Sequence, residues 1–273
     1  MTSSTSNDAE PWSVRRLHPP RPGEPGQDPD VHDTPAPERP HTSTLIRRAI
    51  GRPGLPFICL GIAVAFYIVL FAISTVRDLN ELGIPGFDLG IFDQGVWLLS
   101  RFKAPFVTVR GLNLFGDHTS FILLPLIPFY WFFDTASTLL VAQSAALGVA
   151  AVPAYLIAKE KLKDEWLALL IGIAFLLQPA VHWINRDNFH PDSFEIPLVL
   201  FAIYFMLKER WRPFFVFVGL ALLVKEDVPL LTFSLGIYVA FRHNRRVGLV
   251  TAAVSLVWLA LNLWVLIPAF NPG

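Results

Sequence analysis

The chain has 273 residues, 53% of them hydrophobic and only 16% charged, whereas soluble domains carry about 25% charged residues. This is membrane composition, and a formal net charge of zero removes nucleic acid as a partner. The single cysteine, Cys59, rules out an intramolecular disulfide.

Residues 1–44 hold nine of the 23 prolines, with Ser, Thr, Asp and Glu and almost no large aliphatic side chains. Such a segment buries too little apolar surface to offset its ordering entropy, so a disordered cytoplasmic tail is expected there. The transmembrane domain is expected over 45–273. No small-residue cleavage site follows the first apolar run, which reads as an uncleaved helix rather than a signal peptide.

That first run, Phe57–Val76, has the twenty apolar residues needed to cross about 30 Å of hydrocarbon. Arg47, Arg48 and Arg52 precede it and place the N-terminus in the cytoplasm. A long external loop, 77–135, follows. Its run Phe121–Phe133 is short and contains Pro125 and Pro128, which predicts an interfacial or re-entrant helix instead of a span. Further spans are read at Ala136–Ala158, Trp166–Trp183, Phe194–Leu207, Phe214–Val224, Val228–Phe241 and Val247–Ile267. The count is about seven, in an all-α, polytopic transmembrane helical bundle with short juxtamembrane helices in its first external loop. This count puts the basic clusters at 47–52, 159–163, 208–212 and 242–246 all in the cytoplasm, as the positive-inside rule requires. A multi-pass cell-membrane protein follows.

The same topology gathers the acidic and histidine clusters on the external side. Phe87-Asp88-Leu89-Gly90-Ile91-Phe92-Asp93-Gln94-Gly95-Val96-Trp97 sets two carboxylates among apolar neighbours, where they cost free energy unless used or paired. Five residues of helix separate them by about 140° around the axis, so they do not form a close dyad. One is expected to face a cavity and the other to make a structural hydrogen bond. An N-cap is the plain role for Asp88.

Asp117-His118 opens the next apolar run; Asp117 suits a cap, and His118 a base, a metal ligand or a headgroup contact. In Arg186…His190-Pro191-Asp192-Ser193-Phe194-Glu195, the Asp192/Glu195 spacing fits a capping box, which leaves His190 unexplained. Lys225-Glu226-Asp227 breaks two apolar runs too short to reach the outer surface. It is therefore placed below that surface in a protein-lined cleft, where ionisable groups are functional candidates. The plain alternative is a self-neutralising pair within the triplet. Arg110, Arg186 and Lys225 are the cations suited to a lipid phosphate. No cofactor is expected. A divalent metal drawing on His118 and His190 lacks HxxxH or CxxC spacing.

Taken in order, Phe87–Trp97, Gly116-Asp117-His118, His190-Pro191-Asp192 and Lys225-Glu226-Asp227 resemble the DUF2079 family of predicted bacterial membrane proteins, from about residue 55 to the C-terminus. The family is similar in layout to the GT-C superfamily of membrane glycosyltransferases. That resemblance implies transfer of a sugar from a polyprenyl-phosphate donor to a glycan or lipid acceptor at the external face. It also implies an external-loop carboxylate as general base, inversion at the anomeric carbon, and membrane lipids as surroundings. By position the resemblance makes Asp88 the candidate base and Asp93 the second, and Asp117, His118, Arg186, His190, Asp192, Lys225, Glu226 and Asp227 are expected to bind substrate. Two departures stand out. The acidic residues are five apart, and the chain stops at Asn271-Pro272-Gly273 after an apolar run, as a truncated member would. The competing reading is a non-catalytic transporter or lipid-binding membrane protein, which the ionisable break at 225–227 would also suit.

Overall fold

The structure, a computed structural model, describes residues 54–271. The tail at 1–44 and the arginines at 47–52 lie outside that range. Among the described residues the architecture is almost wholly helical. α1 (Leu55–Asn80) carries Pro56 in its first turn, where the missing N–H costs nothing. It buries Leu60, Val64, Tyr67, Phe71 and Thr75 and leaves Ile62, Phe66, Val69 and Ile73 exposed. A helix apolar on every side belongs in lipid.

α2 (Gly86–Ser100) follows, then a two-stranded antiparallel ribbon, β1 (Phe106–Val107) and β2 (Leu112–Asn113). Gly111 closes the ribbon in the left-handed region, φ 69°, which only glycine adopts without strain. α3 (Leu114–Asp117), a 3-10 turn (Phe121–Leu126) and α4 (Ile127–Tyr130) complete the region. The run Phe121–Phe133 thus folds as two short turns lying along α2. Tyr130 Oη donates to Asp93, Trp131 Nε1 donates to the Ser100 carbonyl, and Ile122 N reaches the Leu223 carbonyl.

α5 (Ser137–Val149) runs into α6 (Ala151–Leu162), and α7 (Glu165–Leu176) into α8 (Pro179–Asp187). The turn between α6 and α7 is tight because Lys163 takes φ 58° and the Asp164 side chain caps α7 through the backbone N–H groups of Trp166 and Leu167. α9 (Glu195–Leu207), α10 (Trp211–Leu222), α11 (Val228–Arg242) and α12 (Arg245–Leu261) form the second half. Asn244 caps α12 as Asp164 caps α7. A π-helical turn, Asn262–Leu266, leads into α13 (Ile267–Phe270). α11 and α12 cross closely at Gly236 and Gly248; a Cβ on Gly248 would stand 2.1 Å from the Ala240 backbone nitrogen.

Among the described residues, four helical stretches are long and apolar enough to cross a membrane: Leu55–Asn80, Ser137–Leu162, Glu165–Asp187 and Arg245–Phe270. Phe121–Tyr130, Trp211–Leu222 and Val228–Arg242 are apolar but shorter. Of the seven spans expected, these four meet that length by themselves. The break at Lys225–Asp227 lies between α10 and α11, where the charged triplet cannot continue an apolar helix in lipid.

One buried cluster joins Ile91, Phe92 and Val96 of α2 to Leu123, Tyr130, Leu139, Leu140 and Phe189. It fixes the irregular segment 81–135 to the ends of α5 and α8.

Candidate functional site

Four separate stretches converge on one polar cleft of about 320 Å³. Its lining includes Phe87 and Asp88 from α2, Arg110 from the ribbon, Asp117, His118 and Ser120 from the following loop, His190, Pro191 and Asp192, and Lys225. The lining spans 138 positions of sequence, from Phe87 to Lys225; two ion pairs, His118–Glu226 and Lys225–Asp192, join separate stretches, and a third, Arg110–Asp117, lies within one of them.

Arg110 donates from Nε and Nη2 to the two carboxylate oxygens of Asp117, both at 2.8 Å, the bidentate geometry that a planar guanidinium favours. The guanidinium holds Asp117 below the usual carboxylate range, and Asp117 raises Arg110 in turn. His118 Nδ1 lies 2.8 Å from Glu226 Oε1, and Thr119 N donates to the other Glu226 oxygen at 3.3 Å. The Glu226 carboxylate raises His118. Burial pushes Glu226 up, but its bonds to His118 and to backbone N–H groups outweigh this, and its net shift is downward. Lys225 Nζ donates to Asp192 Oδ1 at 3.3 Å. Burial opposes its charge and is outweighed by Asp192 and Asp227, which leaves Lys225 raised.

These pairings correct several sequence expectations. Asp88 is not an N-cap. α2 starts at Gly86 after Pro85, so Asp88 lies inside the first turn and makes no capping bond. Asp117 ends α3 and binds Arg110, so it is not a cap either. The Asp192/Glu195 capping box does not form, because Pro191–Phe194 is itself a 3-10 turn and α9 begins only at Glu195. Lys225 and Glu226 do not neutralise each other; each pairs with a different element.

Asp93 is not in the cleft. As the helical angle requires, it faces the other side of α2, where Tyr130 Oη donates to it at 2.7 Å. Burial raises its carboxyl, against the Tyr130 hydrogen bond. Arg186 is also outside the cleft lining, on the solvent face of α8 against Asp78 at 3.3 Å. Asp227 precedes α11 and flanks Lys225 without lining the cleft. His190 lines it and stands 3.9 Å from Asp187. Asp88 is the cleft carboxylate with no ion pair among the described residues. Among those residues, no group of three or more His, Cys, Asp and Glu side chains is placed to hold a metal ion.

Two amides that sequence reasoning missed build this geometry. Asn188 is buried; its Oδ1 accepts from Leu89 N (3.1 Å) and Phe189 N (2.9 Å). Its Nδ2 donates to the Pro85 carbonyl (2.9 Å) and to Asp88 Oδ2 (3.4 Å). One side chain thereby sets both the start of α2 and the seat of Asp88. Gln143, fully buried in α5, donates from Nε2 to the carbonyls of Asn188 (2.8 Å) and Ile184 (3.1 Å). Its Oε1 accepts from His190 N (2.8 Å) and Ser193 Oγ (3.0 Å). The available signal was a lone amide inside an apolar span, which is costly there unless every bond is made.

Beside the cleft lies an apolar groove of about 890 Å³ between α5 and α9, lined by residues such as Leu126, Val141, Ala145, Phe194, Leu198 and Phe201. The same two short segments contribute to both linings: Ser120 lines the cleft and Ile122 the groove, and Asp192 lines the cleft and Phe194 the groove.

No curated protein and no solved structure matches the chain. The model of a family described as a predicted membrane protein, DUF2079, matches residues 78–273, a range that contains every residue of the cleft. The chain is an integral membrane protein and belongs to the DUF2079 family.

Proposed function

We propose that the chain transfers a sugar from a polyprenyl-phosphate donor to a glycan or lipid acceptor at the external membrane face. The observation that carries this reading is that the segments 120–122 and 192–194 each contribute to both a polar cleft and an apolar groove. A substrate with a charged head and a long isoprenoid tail needs both environments side by side, and the tail gains free energy by leaving water. The seven-span topology expected from charge puts these segments at the outer leaflet.

In this reading Asp88 is the general base. It takes the proton of an acceptor hydroxyl as that oxygen attacks the anomeric carbon. The bond from that carbon to the phosphate oxygen breaks, and the configuration inverts. Arg110 and Lys225 line the same cleft and stabilise the departing lipid phosphate, as cations aimed at developing charge do. Asn188 keeps the Asp88 carboxylate turned towards the cleft. His118–Glu226 ties the loop bearing Asp117 to the turn bearing Lys225.

The test uses the full chain in nanodiscs with polyprenyl-phosphate-linked sugars, following transfer for wild type and Asp88→Asn. Loss of a positioned general base lowers the rate by about a hundredfold or more. Equal turnover in the two proteins refutes Asp88 as base. Binding of the lipid with no turnover from any donor favours the alternative, a lipid-binding or transport protein built around the same groove.

A further inference from the structure

The second carboxylate of the Phe87–Trp97 motif faces a space that the transfer reading leaves unused. Asp93, Gln94, Trp97, Asp134 and Thr135 line a separate open cavity of about 460 Å³ on the other side of α2.

Each polar group there is held by one atom and leaves another uncommitted. Gln94 accepts through Oε1 from Thr108 N and Thr108 Oγ1, both at 3.0 Å, which fixes its amide plane and leaves the NH₂ group, with two donors, without a partner among the described residues. Asp93 is held through Oδ1 by Tyr130 Oη, and Asp134 through Oδ2 by Arg101 Nη2, both at 2.7 Å. The second oxygen of each carboxylate accepts no hydrogen bond among the described residues. Trp97 stays 37% exposed, although neighbouring Val96 on the same helix is fully buried. Arg101 and Lys103 stand 5.9 and 6.0 Å from its ring centroid, which pins the indole in place through cation–π attraction.

A pre-oriented amide donor pair, two carboxylate acceptors and an indole therefore meet in one cavity. A pyranose has the complementary surface. Its hydroxyls both donate and accept, and its axial C–H groups form a weakly positive apolar face suited to the negative face of an aromatic ring. An acyl chain is disfavoured by the cost of burying the amide and the carboxylates without partners.

We propose that this cavity is a saccharide-binding site for a neutral or amino hexose unit, with Trp97 as stacking platform and Asp93, Gln94 and Asp134 as hydroxyl partners. The saccharide binding does not depend on the transfer reading.

The test is saturation-transfer NMR on the full chain in nanodiscs, with glucose and glucosamine as probes. Expected are binding of both, and binding about tenfold weaker in Trp97→Ala. Asp93→Asn and Gln94→Ala weaken it as well. If Trp97→Ala does not fold, Trp97→Phe, which retains a ring, together with Gln94→Ala decides the matter. Absence of binding by every probe in wild type overturns the proposal, as does binding insensitive to both Asp93→Asn and Gln94→Ala. Trp97-dependent binding without sugar transfer supports this site and counts against the transfer reading alone. Transfer without Trp97-dependent binding does the reverse.

Discussion

Gln143→Leu replaces the amide that organises the cleft with an apolar side chain of similar size. Four hydrogen bonds of 2.8–3.1 Å disappear: two donated to the carbonyls of Ile184 and Asn188, and two accepted from His190 N and Ser193 Oγ. A hydrogen bond contributes about 1 kcal/mol net, and a buried group left unpaired costs about 1–3 kcal/mol. The full set of stranded groups would exceed what water entering from the adjacent cleft allows, so a loss of about 3–5 kcal/mol is expected. Unfolding in mixed micelles, followed by tryptophan fluorescence, measures it. Hydrogen exchange locates it, with protection falling over 184–193 and, through Asn188, at the start of α2, while α11 and α12 keep theirs. Gln143→Glu keeps acceptor oxygens for His190 N and Ser193 Oγ but loses both donors, and is destabilised as well. A change below about 1 kcal/mol with unaltered exchange over 184–193 would refute the assignment of Gln143 as the organiser.

The His118–Glu226 contact makes the junction between the 117–120 loop and the 223–227 turn pH-dependent. His118 is raised from 6.5 by Glu226, so its stabilisation is complete below pH 6.5 and is lost as pH rises through the raised value. Glu226 is lowered from 4.5, so its share is complete above pH 4.5 and is lost as pH falls through the lowered value. Both are complete between those two ordinary values, and His118→Gln flattens the alkaline limb of a stability–pH curve. The His118 side chain is 39% exposed, so solvent screening limits the effect to about 1 kcal/mol. At the α11–α12 crossing, Gly248→Ala puts a Cβ against backbone that cannot yield, 2.1 Å from Ala240 N. A loss of about 1–3 kcal/mol is expected in the same unfolding assay, and a neutral result would mean the crossing is looser than described.

Much of the helical layout was legible because it depends on local composition. Long apolar runs, the prolines at 125 and 128, and the charged break at 225–227 each mark their own element. The 140° between Asp88 and Asp93 needed only helical periodicity, and the structural hydrogen bond expected of one of the two is made to Asp93 by Tyr130 Oη. The capping assignments failed for a related reason. Cap spacing is a local pattern: at Asp117 the nearby Arg110 took the carboxylate, and at Asp192 a 3-10 turn delays α9 to Glu195 while Lys225 takes the carboxylate.

By itself the sequence determined that this is a helical membrane protein, and which polar residues are too costly in lipid to be incidental. Burial cost is a property of each residue and its neighbours, so composition and periodicity suffice. Tertiary structure alone decided which of those residues meet. It brought Asp88, Arg110, Asp117, His118, His190, Asp192 and Lys225 to one cleft, sent Asp93 and Arg186 elsewhere, and set an apolar groove beside the cleft. The partners of a carboxylate 100 residues away are fixed by how helices pack and by buried amides such as Gln143 and Asn188. Nothing in the local spacing of the chain encodes those contacts.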